Sequence, residues 1–222
     1  MSQSWLNPRT FSLFRATTIV LAAGLSERMG RNKLLLPFRN EPIIIHTIRN
    51  ALGFSDRVIV VTGNEREKLE KAIAHLDVDI VFNPDYREGQ RMSSLKGVER
   101  VEDDDFAILP GDLPLLGRKE AEKGKLALSD SSIARLFFNS IPGHPVFYRK
   151  ENRDTLLSYP HSMKSYLKER GCRLLESTAA SVFDIDTPEK YQTLIRSDGN
   201  LSILEDYIDV SVPGDGSTKN SL

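Results

Sequence analysis

The chain has 222 residues, of which 40% are hydrophobic and 27% charged, and this composition is typical of one globular α/β domain with a sizeable core. Its 30 basic and 31 acidic residues give a net charge of −1, without the basic excess of a nucleic-acid-binding protein. The single cysteine, Cys172, excludes an internal disulfide, and no apolar run approaches the roughly 18 residues of a membrane span. We therefore expect a cytoplasmic protein that binds neither nucleic acid nor membrane.

Four short apolar runs predict buried strands at residues 17–23, 58–61, 80–82 and 106–109. Each run is continuously apolar and does not alternate with polar residues. Such runs are typical of strands that are covered on both faces, as in a parallel sheet.

Helical patterns separate these runs. After Pro42, which the first turn of a helix tolerates, apolar residues recur at every fourth position. Similar stripes follow at residues 69–76 and 95–101, and Ser93 or Ser94 is available to cap the helix of residues 95–101. The order β-α-β-α-β-α-β predicts an α/β fold in which a doubly wound, mostly parallel sheet lies between two layers of helices.

The sequence divides into a predicted domain and two flanking segments. The domain is expected at residues 17–198, after an N-terminal extension at residues 1–16. Residues 199–222 are expected to form a short amphipathic helix and then, from about residue 213, a mobile tail of small and polar residues.

A glycine loop follows the first predicted strand and carries three cations against one carboxylate. Gly24 lets the backbone approach a ligand closely, while Arg28, Arg31 and Lys33 supply positive charge. Ligands of open parallel sheets bind beyond the carboxyl ends of the strands, where this loop lies. The pattern predicts a triphosphate site.

Two common phosphate-binding motifs do not match this loop. A dinucleotide fingerprint requires glycines where Ser26 and Met29 stand. A Walker A loop requires four residues between its glycines, whereas five separate Gly24 from Gly30.

Carboxylates at two places in the sequence are candidate metal ligands. Asp112 follows the fourth predicted strand and therefore lies at the same sheet edge as the glycine loop. Asp184 and Asp186 end the run 181–186, and they share a face if that run is a regular strand, so spacing alone does not choose between them. As an alternative to metal binding, an aspartate beside Thr187 can simply help to cap a helix.

Four blocks in the chain together resemble the nucleotidyltransferase family of molybdenum cofactor synthesis, and most closely its cytidylyl branch. The matching blocks are Leu21-Ala22-Ala23-Gly24 with Ser26, Arg28, Met29, Gly30 and Lys33; Gly111-Asp112-Leu113-Pro114-Leu115; Gly143-His144-Pro145-Val146; and Asp184-Ile185-Asp186-Thr187-Pro188-Glu189. They occur in family order and extend over residues 17–196. The resemblance implies a Rossmann-like nucleotidyltransferase fold.

The resemblance also implies roles for particular residues. The implied nucleotide-binding residues are Leu21, Ala22, Ala23, Gly24, Arg28, Lys33, Ser93 and Ser94. Arg28 and Lys33 are further implied to act in catalysis together with Asp112. Asp112 and Asp186 are implied ligands of Mg²⁺, and His144 is implied to lie on the acceptor side.

The expected activity is the Mg²⁺-dependent transfer of CMP from CTP to a small phosphorylated acceptor, with release of pyrophosphate. By resemblance the acceptor is molybdopterin or the molybdenum cofactor, and a molybdoenzyme or its chaperone is an implied partner. Ala23 stands where the guanylyl branch has a second glycine, and its methyl group favours the smaller pyrimidine base. A sugar or alditol phosphate remains an alternative acceptor. A regulatory nucleotide-binding domain is a further alternative, although it would not need two metal carboxylates.

Overall fold

The computed structural model describes residues 16–211, and within that range it contains a seven-stranded sheet, a two-stranded ribbon and eight α-helices. The strands are β1 (Ala16–Ala22), β2 (Pro37–Phe38), β3 (Glu41–Pro42), β4 (Arg57–Thr62), β5 (Asp79–Phe82), β6 (Asp105–Pro110), β7 (Ile133–Phe138), β8 (Ile141–Tyr148) and β9 (Arg173–Glu176). The helices are α1 (Ile43–Leu52), α2 (Arg66–Ile73), α3 (Gln90–Val98), α4 (Arg118–Leu126), α5 (Asn152–Ser158), α6 (Met163–Arg170), α7 (Pro188–Ser197) and α8 (Leu201–Ser211).

The main sheet has the strand order β5-β4-β1-β6-β8-β7-β9. The first four strands in this order are parallel, β8 is antiparallel to both of its neighbours, and β9 is parallel to β7. The prediction of a doubly wound, mostly parallel sheet is confirmed, and the four apolar runs correspond to β1, β4, β5 and β6. Because β4 and β5 lie on one side of β1 and β6 on the other, the topological switch point lies between β1 and β6.

Side chains of β1 alternate between two apolar clusters on opposite faces of the sheet. Val20 and Ala22 belong to the cluster that includes α1, α2 and α4, whereas Ile19 and Leu21 belong to the cluster that includes α3, α5 and α6. This confirms the three-layer α/β/α arrangement. A third cluster joins α7 and α8 to Phe38 of the ribbon, and so fixes the C-terminal helices beside the sheet.

The predicted cap of α3 is wrong. Gly89 precedes this helix with φ of 104°, a backbone conformation that glycine adopts without strain. The helix therefore begins at Gln90, so Ser93 and Ser94 lie inside it and cannot cap it. At α7, by contrast, the side chain of Thr187 accepts a hydrogen bond from the backbone N–H of Lys190 at 3.3 Å and caps the start of the helix.

Residues 181–186 do not form the strand that their sequence suggested. A 3₁₀ turn occupies Ala179–Ser181, and the chain then continues irregularly to α7. The backbone N–H of Ile185 donates to the carbonyl of Asp112 at 3.2 Å. This contact pins the segment against the loop after β6 and brings Asp184 and Asp186 to the edge of the sheet that carries Asp112.

The predicted C-terminal helix is confirmed as α8, in which Leu204 and Ile208 are buried. The expected N-terminal extension, apart from Ala16, and the expected tail lie outside the described residues. The division at residues 17 and 198 stays a prediction. None of the helices in residues 16–211 has the length and apolar content that a membrane crossing requires.

The close contact between α3 and the sheet gives a stability prediction. A Cβ on Gly97 would overlap Ile19 Cγ2 and lie 3.1 Å from Val61 Cγ2. We expect Gly97→Ala to lower the free energy of unfolding by about 1–3 kcal/mol in urea denaturation, because the buried methyl group forces the helix away from β1. In the control Gly24→Ala the methyl group enters open space, and we expect a change within about 0.5 kcal/mol. An unchanged midpoint in Gly97→Ala would contradict this packing.

Candidate active site

A pocket of about 470 Å³ lies at the carboxyl ends of β1 and β6, where the strand order predicts a crevice. Its volume is in the range of small-ligand sites. The structure brings nine of the residues predicted from the sequence together around it. They are Leu21, Ala23, Gly24, Arg28, Lys33, Ser93, Asp112, His144 and Asp186.

Two predicted nucleotide-binding residues do not line this pocket. Ala22 is 1% exposed, and its side chain belongs to the core cluster around α1 because side chains of β1 alternate between the two faces. Ser94 is buried within α3, and its hydroxyl donates to the carbonyl of Gln90 at 3.1 Å. Ser93 faces the pocket, and its hydroxyl oxygen accepts a hydrogen bond from Asn83 Nδ2 at 3.0 Å.

Two residues with left-handed backbone conformation shape the loop after β1. Ser26 and Gly30 have φ of 53° and 65° and flank a 3₁₀ turn over Glu27–Met29. The buried side chain of Met29 anchors this turn in the cluster of α7 and α8. The hydroxyl of Ser26 also accepts a hydrogen bond from the backbone N–H of Lys33 at 3.2 Å, so both ends of the loop are tied together.

Lys33 and Asp112 form an ion pair in the pocket. The Lys33 ammonium donates to Asp112 Oδ2, and the side chains are only 20% and 7% exposed. Burial raises the pKa of the Asp112 carboxyl, and the charge of Lys33 opposes this shift. The preceding Gly111 is required for the close approach of the loop, because a Cβ there would lie 2.9 Å from both Leu21 O and Ile44 Cδ1.

A second set of ion pairs surrounds Asp186. Its Oδ2 atom lies 2.8 Å from Arg28 Nη2, and its Oδ1 atom lies 3.1 Å from Lys190 Nζ. The same Lys190 ammonium donates to Asp184 Oδ1 at 2.6 Å. Burial alone would raise the pKa of Asp186, but Lys190, Arg28 and Lys33 outweigh it and hold the pKa below its ordinary value.

Lys190 is a site residue that the sequence analysis missed. Burial would lower the pKa of its ammonium group, but the Asp184 and Asp186 carboxylates raise it above the ordinary value. The available signal was its spacing, since a lysine four residues after Asp186 in the first turn of α7 can reach back to it. The sequence also left Asp184 undecided, and the structure places Asp184 in the pocket wall together with Asp186.

The segment after β5 supplies further pocket residues that the sequence analysis missed. Tyr86, Arg87 and Gln90 all line the pocket. The buried side chain of Asn83 shapes this segment, because its Oδ1 atom accepts from the backbone N–H of Asp85 at 3.1 Å. An asparagine two residues before the turn is a weak sequence signal for this arrangement.

The carboxylates fit a divalent cation bound together with phosphates. Within residues 16–211 no group of three or more His, Cys, Asp or Glu side chains is arranged to hold a metal ion. Mg²⁺ in nucleotide sites is bound by one or two carboxylates and completes its shell with phosphate and water oxygens. Asp112 and Asp186 would supply hard oxygen ligands of this kind, and both line the pocket.

The MobA-like NTP transferase domain model matches residues 18–180 of the chain. The chain belongs to this family. The match covers the strands on both sides of the switch point and the loops that carry Arg28, Lys33 and Asp112. It identifies the protein as a nucleotidyltransferase and confirms the resemblance found in the sequence.

Individual relatives of this MobA-like protein agree with the family match. It is 34% identical over 179 residues to molybdenum cofactor cytidylyltransferase of Escherichia coli, covering 79% of this chain and 93% of the relative. It is 30% identical over 202 residues to purine catabolism protein PucB of Bacillus subtilis, covering 81% and 95%. The structure of Rv0371c from Mycobacterium tuberculosis has a TM-score of 0.74 at 24% identity, covering 83% of this chain and 98% of that one. A manganese complex of Rv0371c has a TM-score of 0.69 at 22% identity, covering 82% of this chain and 99% of that one.

His144 lies in the pocket wall as a neutral side chain. Its buried Nδ1 atom has no hydrogen-bond partner among the described residues. Burial, together with the nearby charge of Arg135, lowers the pKa of His144 from 6.5 to about 4, although Asp184 opposes the shift. The imidazole is therefore uncharged at neutral pH.

The pKa of His144 gives a prediction about stability and pH. Between about pH 4 and 6.5 the unfolded chain binds a proton at this residue that the folded chain does not bind, so stability falls as the pH is lowered through this window. When the pH is lowered from about 6.5 to 4, we expect the free energy of unfolding to fall less in His144→Gln than in the wild type, as measured by urea denaturation. His161→Gln, which alters an exposed histidine, is the control and should follow the wild type. Parallel curves for the wild type and His144→Gln would contradict a neutral His144.

Proposed function

We propose that this nucleotidyltransferase moves CMP from CTP to a small phosphorylated acceptor, with Mg²⁺ as cofactor and pyrophosphate as the second product. One observation carries the proposal. The two cations predicted to hold the triphosphate, Arg28 and Lys33, are ion-paired with the two predicted metal ligands, Asp186 and Asp112, around one pocket. Each member of these pairs has a natural new partner when a nucleotide and its metal ion arrive.

An exchange of ion-pair partners explains how the pocket accommodates the negative charge of a triphosphate together with the positive charge of Mg²⁺. Phosphate oxygens would take over the hydrogen bonds that Arg28 and Lys33 now give to carboxylates. The Asp112 and Asp186 oxygens would then be free to hold Mg²⁺. Because charges are neutralised before and after binding, no carboxylate is left buried without a partner.

The transfer itself needs little acid–base chemistry from the protein. An oxygen of the acceptor phosphate forms a bond to the α-phosphorus of CTP, and the bond from that phosphorus to the bridging oxygen of pyrophosphate breaks. A phosphate monoester carries about −1.5 to −2 charge at neutral pH and is a competent nucleophile without a general base. Arg28 and Lys33 would orient the phosphates and stabilise the charge of the transition state, and bound Mg²⁺ would supply further charge neutralisation.

The preference for CTP is supported by Ala23 and by the cytidylyltransferase relative. Ala23 lines the pocket at the end of β1, beside the backbone proposed to read the base. Its methyl group takes space that a second glycine would leave open. A pyrimidine needs less of that space than a purine does.

Molybdopterin or the molybdenum cofactor is the proposed acceptor, with a molybdoenzyme or its chaperone as the proposed recipient of the product. The support is the E. coli relative, which is named as a molybdenum cofactor cytidylyltransferase. His144 is proposed to lie on the acceptor side, since its neutral side chain lines this pocket. A sugar or alditol phosphate would use the same chemistry and is the alternative outcome of the assay below.

The proposed metal ligand Asp112 provides a direct mutational test. Asp112→Asn keeps the size of the side chain but removes its charge, and we expect the rate of pyrophosphate release to fall at least about a hundredfold. Asp206→Asn makes the same change on the exposed face of α8, outside the pocket, and should leave the rate unchanged. If Asp112→Asn turns over like the wild type, the metal site is not at Asp112.

The base preference is tested by offering CTP, GTP, ATP and UTP separately with molybdenum cofactor and with a set of sugar and alditol phosphates, while pyrophosphate is measured. We expect the highest kcat/KM with CTP and molybdenum cofactor. Ala23→Gly should reduce the preference for CTP over GTP, within the range of about 10- to 200-fold that one methyl group in a pocket can provide. A wild-type preference for GTP would overturn the base assignment, and turnover only with sugar or alditol phosphates would remove the cofactor pathway.

A further inference from the structure

Tyr86 lies beside Ala23 at the end of the pocket where the base is proposed to bind. Gly63 follows β4 and separates the two side chains. A Cβ on Gly63 would lie 2.7 Å from Tyr86 Cβ, 2.8 Å from Tyr86 Cγ and 2.8 Å from Ala23 Cβ. Only glycine fits between them, so Tyr86 and Ala23 together form one continuous part of the pocket wall.

The backbone turn that carries Tyr86 is held by hydrogen bonds. Its backbone lies in a 3₁₀ turn that the side chain of Asn83 holds through Asp85, and the N–H of Glu88 donates to the Asp85 carbonyl at 3.0 Å. The Tyr86 hydroxyl accepts a long hydrogen bond, at 3.4 Å, from Nε of the neighbouring, exposed Arg87. The turn therefore places the backbone of Tyr86 at the wall of the pocket.

Packing over Gly63 does not account for the whole side chain. The Cβ and Cγ atoms of Tyr86 fill the space above Gly63, and a leucine would fill it equally well. The aromatic ring extends beyond this contact, in a residue that is only half-buried and lines the pocket. The ring is thus available to a ligand.

We propose that Tyr86 determines nucleotide specificity: its ring contacts the base beside Ala23, and its bulk restricts the subsite to a pyrimidine. This inference rests on the proposed function, because it requires a nucleotide whose base lies at the end of β1. Contact with an aromatic ring strengthens the binding of any base, since every base has a π-face. Discrimination between pyrimidine and purine nucleotides is steric, because Tyr86 and the Ala23 methyl group occupy the volume that the second ring of a purine would need.

The test is equilibrium binding of CTP, GTP and tripolyphosphate by calorimetry, with Mg²⁺ and without acceptor. Tripolyphosphate has the anionic group but no base. We expect Tyr86→Leu to bind CTP about 10-fold or more weakly, which is the scale of one base–aromatic contact. The same variant should lose most of the preference for CTP over GTP. Tyr86→Phe retains the ring and should stay within about twofold of the wild type. Tripolyphosphate should bind equally to all three proteins, because it cannot contact the ring.

Thermal unfolding of each variant checks that the fold is retained. If the wild type binds CTP and Tyr86→Leu has the same affinity and the same preference, the inference fails while the proposed function stands. An equal loss of tripolyphosphate binding would also overturn it, because Tyr86 would then only maintain the shape of the site. If the wild type prefers GTP, the restriction to a pyrimidine is wrong. If the wild type binds no nucleotide, the proposed function fails, and the inference fails with it.

Discussion

Lys33 and Asp112 meet because β1 and β6 are parallel neighbours whose carboxyl ends open into the same crevice. The backbone N–H of Gly111 donates to the carbonyl of Leu21 at 2.9 Å and holds the two strand ends together. The Lys33 ammonium then reaches Asp112 across this junction. Without this contact the Asp112 carboxylate would be buried with its charge uncompensated, which typically costs several kcal/mol.

The rest of the site repeats the same balance of charge. Irregular chain before α7 brings Asp186 to the pocket, where Arg28 from the glycine loop and Lys190 from α7 neutralise it. The Lys190 ammonium lies 3.1 Å from Oδ1 of Asp186 and Arg28 pairs with Oδ2, so Oδ2 is the oxygen that would change partners in the proposed exchange. Two packed layers of helices would keep both carboxylates in place during the proposed exchange of partners.

The continuous apolar runs were sufficient to predict β1, β4, β5 and β6, because strands covered on both faces have a distinctive composition. The place of Asp112 followed from that prediction, since it directly follows a strand. The positions of Tyr86 and Lys190 in the site could not be predicted from the apolar runs, because each depends on a turn or on a long side chain that crosses between elements. The strand suggested by residues 181–186 was wrong. Within residues 16–211 this segment pairs with no strand, and the backbone N–H of Ile185 instead donates to the carbonyl of Asp112.

The exchange of ion-pair partners is the central claim, and a crystal structure with CTP and Mg²⁺ bound tests it most directly. We expect Arg28 and Lys33 to have left Asp186 and Asp112 and to contact phosphate oxygens, with both carboxylates on the metal ion. A triphosphate bound elsewhere, with the Lys33–Asp112 and Arg28–Asp186 pairs intact, would contradict the account.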